Sequence, residues 1–407
     1  MKRNVLHLIA VLFVVHGALI FYGCGRESAK SLTIAMSLGE EEWKVMRQDI
    51  FPPFQQKYDV IINAYQVESG QLATKLEALE RSGKSEIDLF AQDNMNLAML
   101  INKDLVLDLS AYRSLLSSQI MPNLIKACEF KEKLMFLPFR PNVQIVYYNA
   151  DAFEANGLTP PQAWKELLSI GRYFKNKEGT GKILIKGFGG NATATQVYEF
   201  ILQAGGDPYF FNDEGCVKAF EFLQRLKPYL SEDSKRAKWD TTNMILANRG
   251  AYIAQNWPFG VSVLIKKYKL DFIKTYSGWK GPAGERHVIG GDVFGLPKNS
   301  KNKKLALKFI SYMQSKEAQE IMVSKLGWPS IREDAYARVE EWQRPHFESV
   351  KQALRNGVFR KQVEWWPAYE KYINTAFREI VFNKAPVKET LDKYKAKLEK
   401  EKRYIGD

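Results

Sequence analysis

Trp257, Trp328 and the pair Trp365–Trp366 each sit beside glycine, proline or a turn, in a chain that holds nine tryptophans and 19 tyrosines. A sugar ring has apolar C–H faces and polar edges. A protein holds such a ring by laying an aromatic plane on the face and offering charged or amide partners to the hydroxyls. A tryptophan taken singly is more often core than platform. Two carboxylates can also be set for glycoside hydrolysis, which needs only Asp or Glu. A glycan-active hydrolase or lyase therefore stays open beside a sugar binder.

Other chemistries are excluded by what is missing. Beyond the first 23 residues only His287 and His346 remain, far apart, so a His-rich metal site and a zincin motif are excluded. There is no Gly-x-Ser-x-Gly elbow and no phosphate loop. The stretch Gly187-Phe188-Gly189-Gly190 lacks the spacing of a dinucleotide fingerprint and reads as a plain loop. No metal and no organic cofactor is expected.

The positioning elements begin after an export signal. Lys2 and Arg3 precede an apolar run from Val5 to Tyr22, followed by Gly23-Cys24. Ile20 to Cys24 resembles a bacterial lipobox, which implies a signal peptide over 1–23, lipidation of Cys24, a tether over 24–31 and a membrane-anchored extracytoplasmic protein. No second apolar stretch reaches the roughly 18 residues of a membrane span. The 407 residues, 45% apolar and 26% charged, suit a globular protein of two or three domains. The net charge of +13 is spread out, with density at Lys301–Lys304 and Lys393–Arg403. It shows no aromatic-interleaved nucleic-acid motif and fits a solvated surface near an anionic membrane. An anionic ligand such as a glycerol phosphate is the remaining rival. Cys128 and Cys216 are read as separate thiols in preference to a pair.

Leu32 to Met36, Val60 to Tyr65 and Ile87 to Phe90 read as strands. Between them lie a helix opening at Glu40-Glu41-Glu42, kinked or ended at Pro52-Pro53, and an amphipathic helix from Gln71 to Leu79. This is an α/β order with parallel neighbours, whose ligands sit outside the carboxyl ends of the strands, where Asp93 falls. Val143 to Tyr148 reads as one long strand, and Pro160-Pro161 as the first turn of a helix. Helices follow over Thr195–Leu202 and Val217–Leu226, then a strand over Ala251–Ala254. Gly290-Gly291-Asp292 reads as a turn before a strand over Val293–Pro297. Leu305 to Ser324 reads as one helix, and from Trp342 the chain reads as almost all helix.

The order of these segments resembles the family 1 extracellular solute-binding proteins, of the maltose- and trehalose-binding type. The resemblance is carried by Ile87-Asp88-Leu89-Phe90 with Asp93, then Leu105-x-Leu107-x-Leu109. It continues through Leu137-Pro138, Tyr147-Tyr148-Asn149-Ala150-Asp151, Gly157 and Pro160-Pro161-x-Ala163-Trp164, where alanine replaces the family's threonine. It ends with Ala251 to Trp257, Gly290-Gly291, Ser300 to Lys303 and Ala306-x-x-Phe309-Ile310. The resemblance implies a non-enzymatic, monomeric, sugar-capturing component of an ABC importer, delivering to permease subunits and their ATPase. It implies an α/β fold of two lobes joined by a hinge, with the ligand in the interlobe cleft. The lobes are expected at 32–139 plus 289–336 and at 140–288 plus 337–407, with crossings near Arg140, Ile289 and Tyr336. Carried over by position, the ligand residues are Glu41, Gln71, Asp93, Asn142, Trp257, Gly291, Asp292, Trp328 and Trp366. Asn142 stands where maltose binders often have an acid, which sets maltose itself in doubt.

Overall fold

The computed structural model describes residues 30–68 and 70–405. The proposed signal peptide and Cys24 lie outside the described residues. Two sheets organise the chain. Strands β1 (Lys30–Met36), β2 (Val60–Gln66) and β3 (Leu89–Asp93) are parallel, with β1 in the middle. Strand β4 (Leu137–Val143) leaves this sheet, and β5 (Ile145–Asn149) starts the second one with β6 (Ile183–Leu184), β7 (Ile253–Asn256) and β8 (Ile273–Tyr276), in the order β8-β5-β7-β6. Strand β9 (His287–Gly295) returns to the first sheet, where β10 (Gly357–Phe359) also joins it.

Burial follows the pleat. Leu32, Ile34, Phe90, Phe294 and Phe309 form the core of the first sheet. In the second sheet Val146 and Ile253 pack into one core, while their neighbours Tyr147 and Ala254 pack into another on the opposite face. Alternate residues point to opposite faces, so a sheet covered on both sides needs an unbroken apolar run. That is why Ile145-Val146-Tyr147 reads as continuous hydrophobicity. Cys128 lies in the first core and Cys216 in the second, both buried free thiols. No helix among the described residues is long and apolar enough to cross a membrane.

Four local readings change. The expected strand over 143–148 is two strands, broken at the buried Gln144, because the chain changes sheets there. Leu137 and Phe139 pack in the first core, but Val143 packs in the third. The Gly290-Gly291-Asp292 turn is instead the middle of β9. Gly291 has φ of +106°, and the β4–β9 register shifts between Asp292 and Val293. The shift is a β-bulge whose extra residue is Phe139 of β4, between Arg140 opposite Asp292 and Pro138 opposite Val293. Gly291, paired with Pro141 beside it, supplies a conformation other residues avoid. Pro160 and Pro161 precede the helix Trp164–Glu178 without entering it. The Gln162 amide donates to Glu166 Oε2 (2.8 Å) and the Trp164 amide to the Lys280 carbonyl (3.1 Å), so the first turn is fixed further along. The single helix over 305–324 is two, Lys303–Met313 and Lys316–Ile321, because the Ser315 hydroxyl caps a new start by accepting from the Ala318 amide.

Candidate ligand site

Three adjacent strands present a row of charged side chains. In the β4–β9 pairing Arg140 stands opposite Asp292, and in the β9–β3 pairing Asp292 stands opposite Asp93. Neighbouring strands lie about 4.8 Å apart, so the row spans about the width of a sugar ring and its hydroxyls. Arg140 donates from Nε to Asp292 Oδ2 (2.6 Å) and from Nη1 to Glu42 Oε1 (3.0 Å). Its guanidinium carbon lies 4.2 Å from the ring centre of Trp328, and Trp328 Nε1 donates to the same Glu42 oxygen (2.8 Å). Burial works against the charge of Arg140, but Asp292 and Glu42 outweigh it and hold the guanidinium protonated more firmly than usual.

Asp93 is the row's least satisfied member. Its Oδ1 accepts from the Met95 amide (2.8 Å), and no cation stands within ion-pair distance of it among the described residues. Burial pushes its carboxyl up and Asp292 opposite adds to this. Arg360 and Arg140 pull the other way, and the outcome is about 6.

The other wall is aromatic. The Trp257 ring lies against β9: a Cβ on Gly290 would stand 3.1 Å from its nearest ring atom. Gly290 therefore leaves the space the ring occupies. The Trp257 carbonyl accepts from the Tyr147 hydroxyl (2.8 Å), and its ring meets Trp239 at 5.1 Å between centres, tilted by 47°. Lys186 Nζ lies 5.1 Å from the Trp239 ring and donates to the Gln255 carbonyl (2.6 Å). Lys186 is buried, which pulls its ammonium down to about 7 while Glu199 opposes. Phe188, on the Gly187–Gly190 loop, is exposed at 60%. Its amide donates to the Ala237 carbonyl (3.2 Å), two residues before Trp239.

A buried polar network anchors β9 under this wall. Glu199 accepts from the Val288 amide (2.9 Å) and from Gln255 Nε2 (2.6 Å). His287 Nδ1 is 3.7 Å from Glu199, and its Nε2 meets Glu285 at 2.8 Å. Burial pulls the His287 imidazole down, but the two carboxylates outweigh it and lift it to about 9. At neutral pH the imidazole is therefore a cation between two acids. The strand that carries Gly290, Gly291 and Asp292 is thus held to the helix Gly190–Gln203.

The expected residues fall in distinct places. Asp93 and Asp292 are in the row, Gly291 precedes Asp292 in β9 with the Arg140 carbonyl close against it, and Trp328 braces Arg140. Trp257 forms the aromatic wall. Asn142 pairs with Gly290 in β4, half-buried, with its Oδ1 accepting from the Val143 amide (3.1 Å). Trp366 is buried in the second lobe under the Arg360 guanidinium, 4.8 Å away. Glu41 is exposed in the first turn of the helix Glu40–Val45, and its neighbour Glu42 is the acid joined to the row. Gln71 is exposed at the start of the helix Leu72–Arg81 and takes no part in these contacts. Sequence reasoning missed Glu42, Arg140, Arg360, Trp239 and Phe188. For Arg140 a signal existed, since the chain crosses between sheets there. For Arg360 the β-branched Val358 with Phe359 after Gly357, inside a helical region, was the available sign of a strand.

Two α/β lobes, with strands passing between them and the polar row at the carboxyl end of β3, define a two-lobed binding-protein fold. The chain belongs to the family of bacterial extracellular solute-binding proteins, which it matches over residues 49–349, most of its length. That membership makes it a binder of solutes and not an enzyme. Its fold is similar to the sugar-binding protein MalE of Xanthomonas citri (TM-score 0.81, 15% identity, 92% of this chain and 99% of that one). It is also similar to maltose-bound MalE3 of T. maritima (0.76, 18%, 91% and 99%). A third similar structure is a Thermotoga lettingae ABC transporter solute-binding protein bound with α-D-tagatose (0.75, 20%, 91% and 99%). A curated relative from Sinorhizobium fredii, named a probable amino-acid ABC transporter periplasmic-binding protein, is 26% identical over 232 residues. The chain spans about half the length of that relative.

Proposed function

We propose that this protein captures a carbohydrate for an ABC importer, holding it between the Trp257 wall and the Arg140–Asp292–Asp93 row, and delivers it to membrane permease subunits served by an ATPase. The observation that carries the reading is the pairing of an aromatic plane with a row of one charged donor, Arg140, and two carboxylate acceptors, Asp292 and Asp93. Arg140 is already neutralised by Glu42 and Asp292, so the row suits a neutral polyhydroxylated ligand. The sugars named for the similar structures agree with this. The proposed lobes are 32–139 plus 289–336 and 140–288 plus 337–407, closing by hinge motion at β4, β9 and near Tyr336. Residues Ile120 to Leu124 pack with the second lobe's core, against Val143 and Leu354, and lie close to that hinge. The ligand residues proposed are Asp93, Asn142, Trp257, Gly291 and Asp292, with Trp328 and Trp366 as supports and Glu41 and Gln71 at the rim.

The test is a thermal-shift panel on the purified chain without its first 24 residues. It contains mono- and oligosaccharides, polyols, glycerol phosphate and the common amino acids. A ligand that binds only the folded state raises Tm. A rise with a neutral sugar or polyol is the expected result. A rise with glycerol phosphate alone would replace it with the anionic reading. A second reading follows from the name of the Sinorhizobium relative, since Asp93 and Arg360 suit the ammonium and carboxylate of an amino acid. A rise with amino acids alone would establish that one.

The proposed anchor is a lipid on Cys24, with the chain outside the cytoplasm. Cys24→Ser should move the protein from the membrane to the soluble fraction of cells. A variant that stays membrane-bound would overturn the lipid anchor.

A further inference from the structure

Strand β9 has two edges. One pairs with β4 from Ile289 to Phe294. The other is shared by two strands, β10 alongside His287–Ile289 and β3 alongside Asp292–Gly295. β10 runs parallel to β9 and β3 antiparallel to it, so their carboxyl ends approach each other head-on, with only Gly290 and Gly291 between them. Asp93 ends one strand, and Arg360 is the residue after the other. Two register positions of strand separate them, about 7 Å. Asn94, the residue after β3, reaches into the same gap and donates from Nδ2 to the Ile289 carbonyl (3.2 Å).

Arg360 is unusual among the charged groups here. It is 6% exposed, yet among the described residues no carboxylate lies within 4 Å of it. Its Nη1 donates to Thr195 Oγ1 (2.9 Å) and Asn191 Oδ1 (3.3 Å), both neutral acceptors, and its buried Nε has no partner. Asn191, in the first turn of the helix Gly190–Gln203, also reaches Met95, with its Nδ2 3.0 Å from Met95 Sδ. A buried guanidinium without a paired anion is costly; Asp93 across the gap is the acid that supports its charge most, and Glu370 also interacts with it.

We propose that Arg360 is an anion-reading group at the end of the cleft which Asp93 holds closed to anions, so that the pair selects neutral hydroxylated ligands over their carboxylate counterparts. A hydroxyl placed in the gap donates its proton to Asp93 and accepts from Arg360, serving both groups at once. A carboxylate meets Arg360 but has no proton for Asp93 and is repelled by it. Specificity of this kind rests on the repulsive element as much as on the attractive one. The inference rests on the sugar-binding reading above and deepens it.

The test uses glucuronate, galacturonate and trigalacturonate as probes. Asp93→Asn should bind at least one of them at least tenfold more tightly than the natural protein does, by calorimetry. Its charges then balance: Glu42 and Asp292 stay on Arg140, and Arg360 alone is unpaired. The gain should vanish in Asp93→Asn with Arg360→Gln, and persist in part in Asp93→Asn with Arg360→Lys, which keeps the charge and checks that a variant at Arg360 still folds. Asp93→Asn itself should fold, because the carboxyl is held up at about 6 in the fold. Such an acid favours the folded state below its folded value, so removing its charge costs no stability at pH 8. No gain with any uronate overturns the proposal, as does a gain that survives Arg360→Gln. The sugar-binding reading is judged separately: if the natural protein shifts with a neutral sugar while Asp93→Asn gains nothing, only the Arg360 assignment falls.

Discussion

Gly291→Ala is expected to lower stability by about 3 kcal/mol or more and to remove ligand binding with it. Gly291 has φ of +106°, and a Cβ built there would stand 2.1 Å from the Arg140 carbonyl oxygen and 2.9 Å from the Asn142 amide. Both are backbone atoms of the paired strand β4 and cannot swing aside. They close on Gly291 at the pair next to Arg140–Asp292, so forcing them apart disturbs the row as well as the β4–β9 pairing. Gly290→Ala is the contrast. There the obstacle is the Trp257 ring at 3.1 Å, and a side chain can shift by a few tenths of an ångström. That variant should keep a near-natural denaturant midpoint and lose affinity through the displaced ring. If Gly291→Ala unfolds at the natural midpoint, the close approach of β4 and β9 at Gly291 is not what joins the two strands.

Trp257→Ala should weaken binding of the sugar found in the panel at least tenfold. An aromatic plane on an apolar ring face contributes about 1–2 kcal/mol, and 1.4 kcal/mol is a factor of ten. Trp257 is half-buried, so its loss of stability should fall below the about 3–5 kcal/mol of a fully buried tryptophan. Trp366→Ala should show the reverse balance. Its ring is 9% exposed in the second lobe's core, packed on Tyr369 at 5.2 Å and beneath Arg360. It should lose several kcal/mol of stability, with affinity following through the displaced guanidinium. Equal affinity for natural and Trp257→Ala proteins would remove the aromatic wall from the site.

Much of the site was legible as position along the chain. Asp93 could be placed because a short apolar strand ended at an acid, and in an open α/β sheet the carboxyl ends face the ligand. Trp257 was placed by the family resemblance, which matches the strand running into Trp-Pro to a stacking aromatic. The misreadings have two opposite forms. At Gln144 the chain leaves one sheet for the other inside an apolar run that reads as continuous, and at Gly290 and Gly291 a strand runs unbroken within the first sheet through residues that read as a turn. In β9 the strand continues through both glycines, because pairing with β4 on one edge and with β3 and β10 on the other holds it.

Periodicity and segment order by themselves determined the α/β class with parallel neighbours and the family resemblance, because each rests on residues close in sequence: strand patterns, turn signals and the helices between them. The charged row was decided by tertiary structure alone. Glu42, Arg140, Asp292 and Trp328 come from four distant segments, and their hydrogen bonds cross up to 286 positions of chain. Nothing near Glu42 distinguishes it from Glu41: both lie in one helical turn, and only the direction set by the fold brings one of them to Arg140. Arg360 shows the same limit more sharply. Its role depends on β10 meeting β3 end to end along one edge of β9, and strand partners on a shared edge are fixed by the packing of the whole sheet, which no local stretch of sequence encodes.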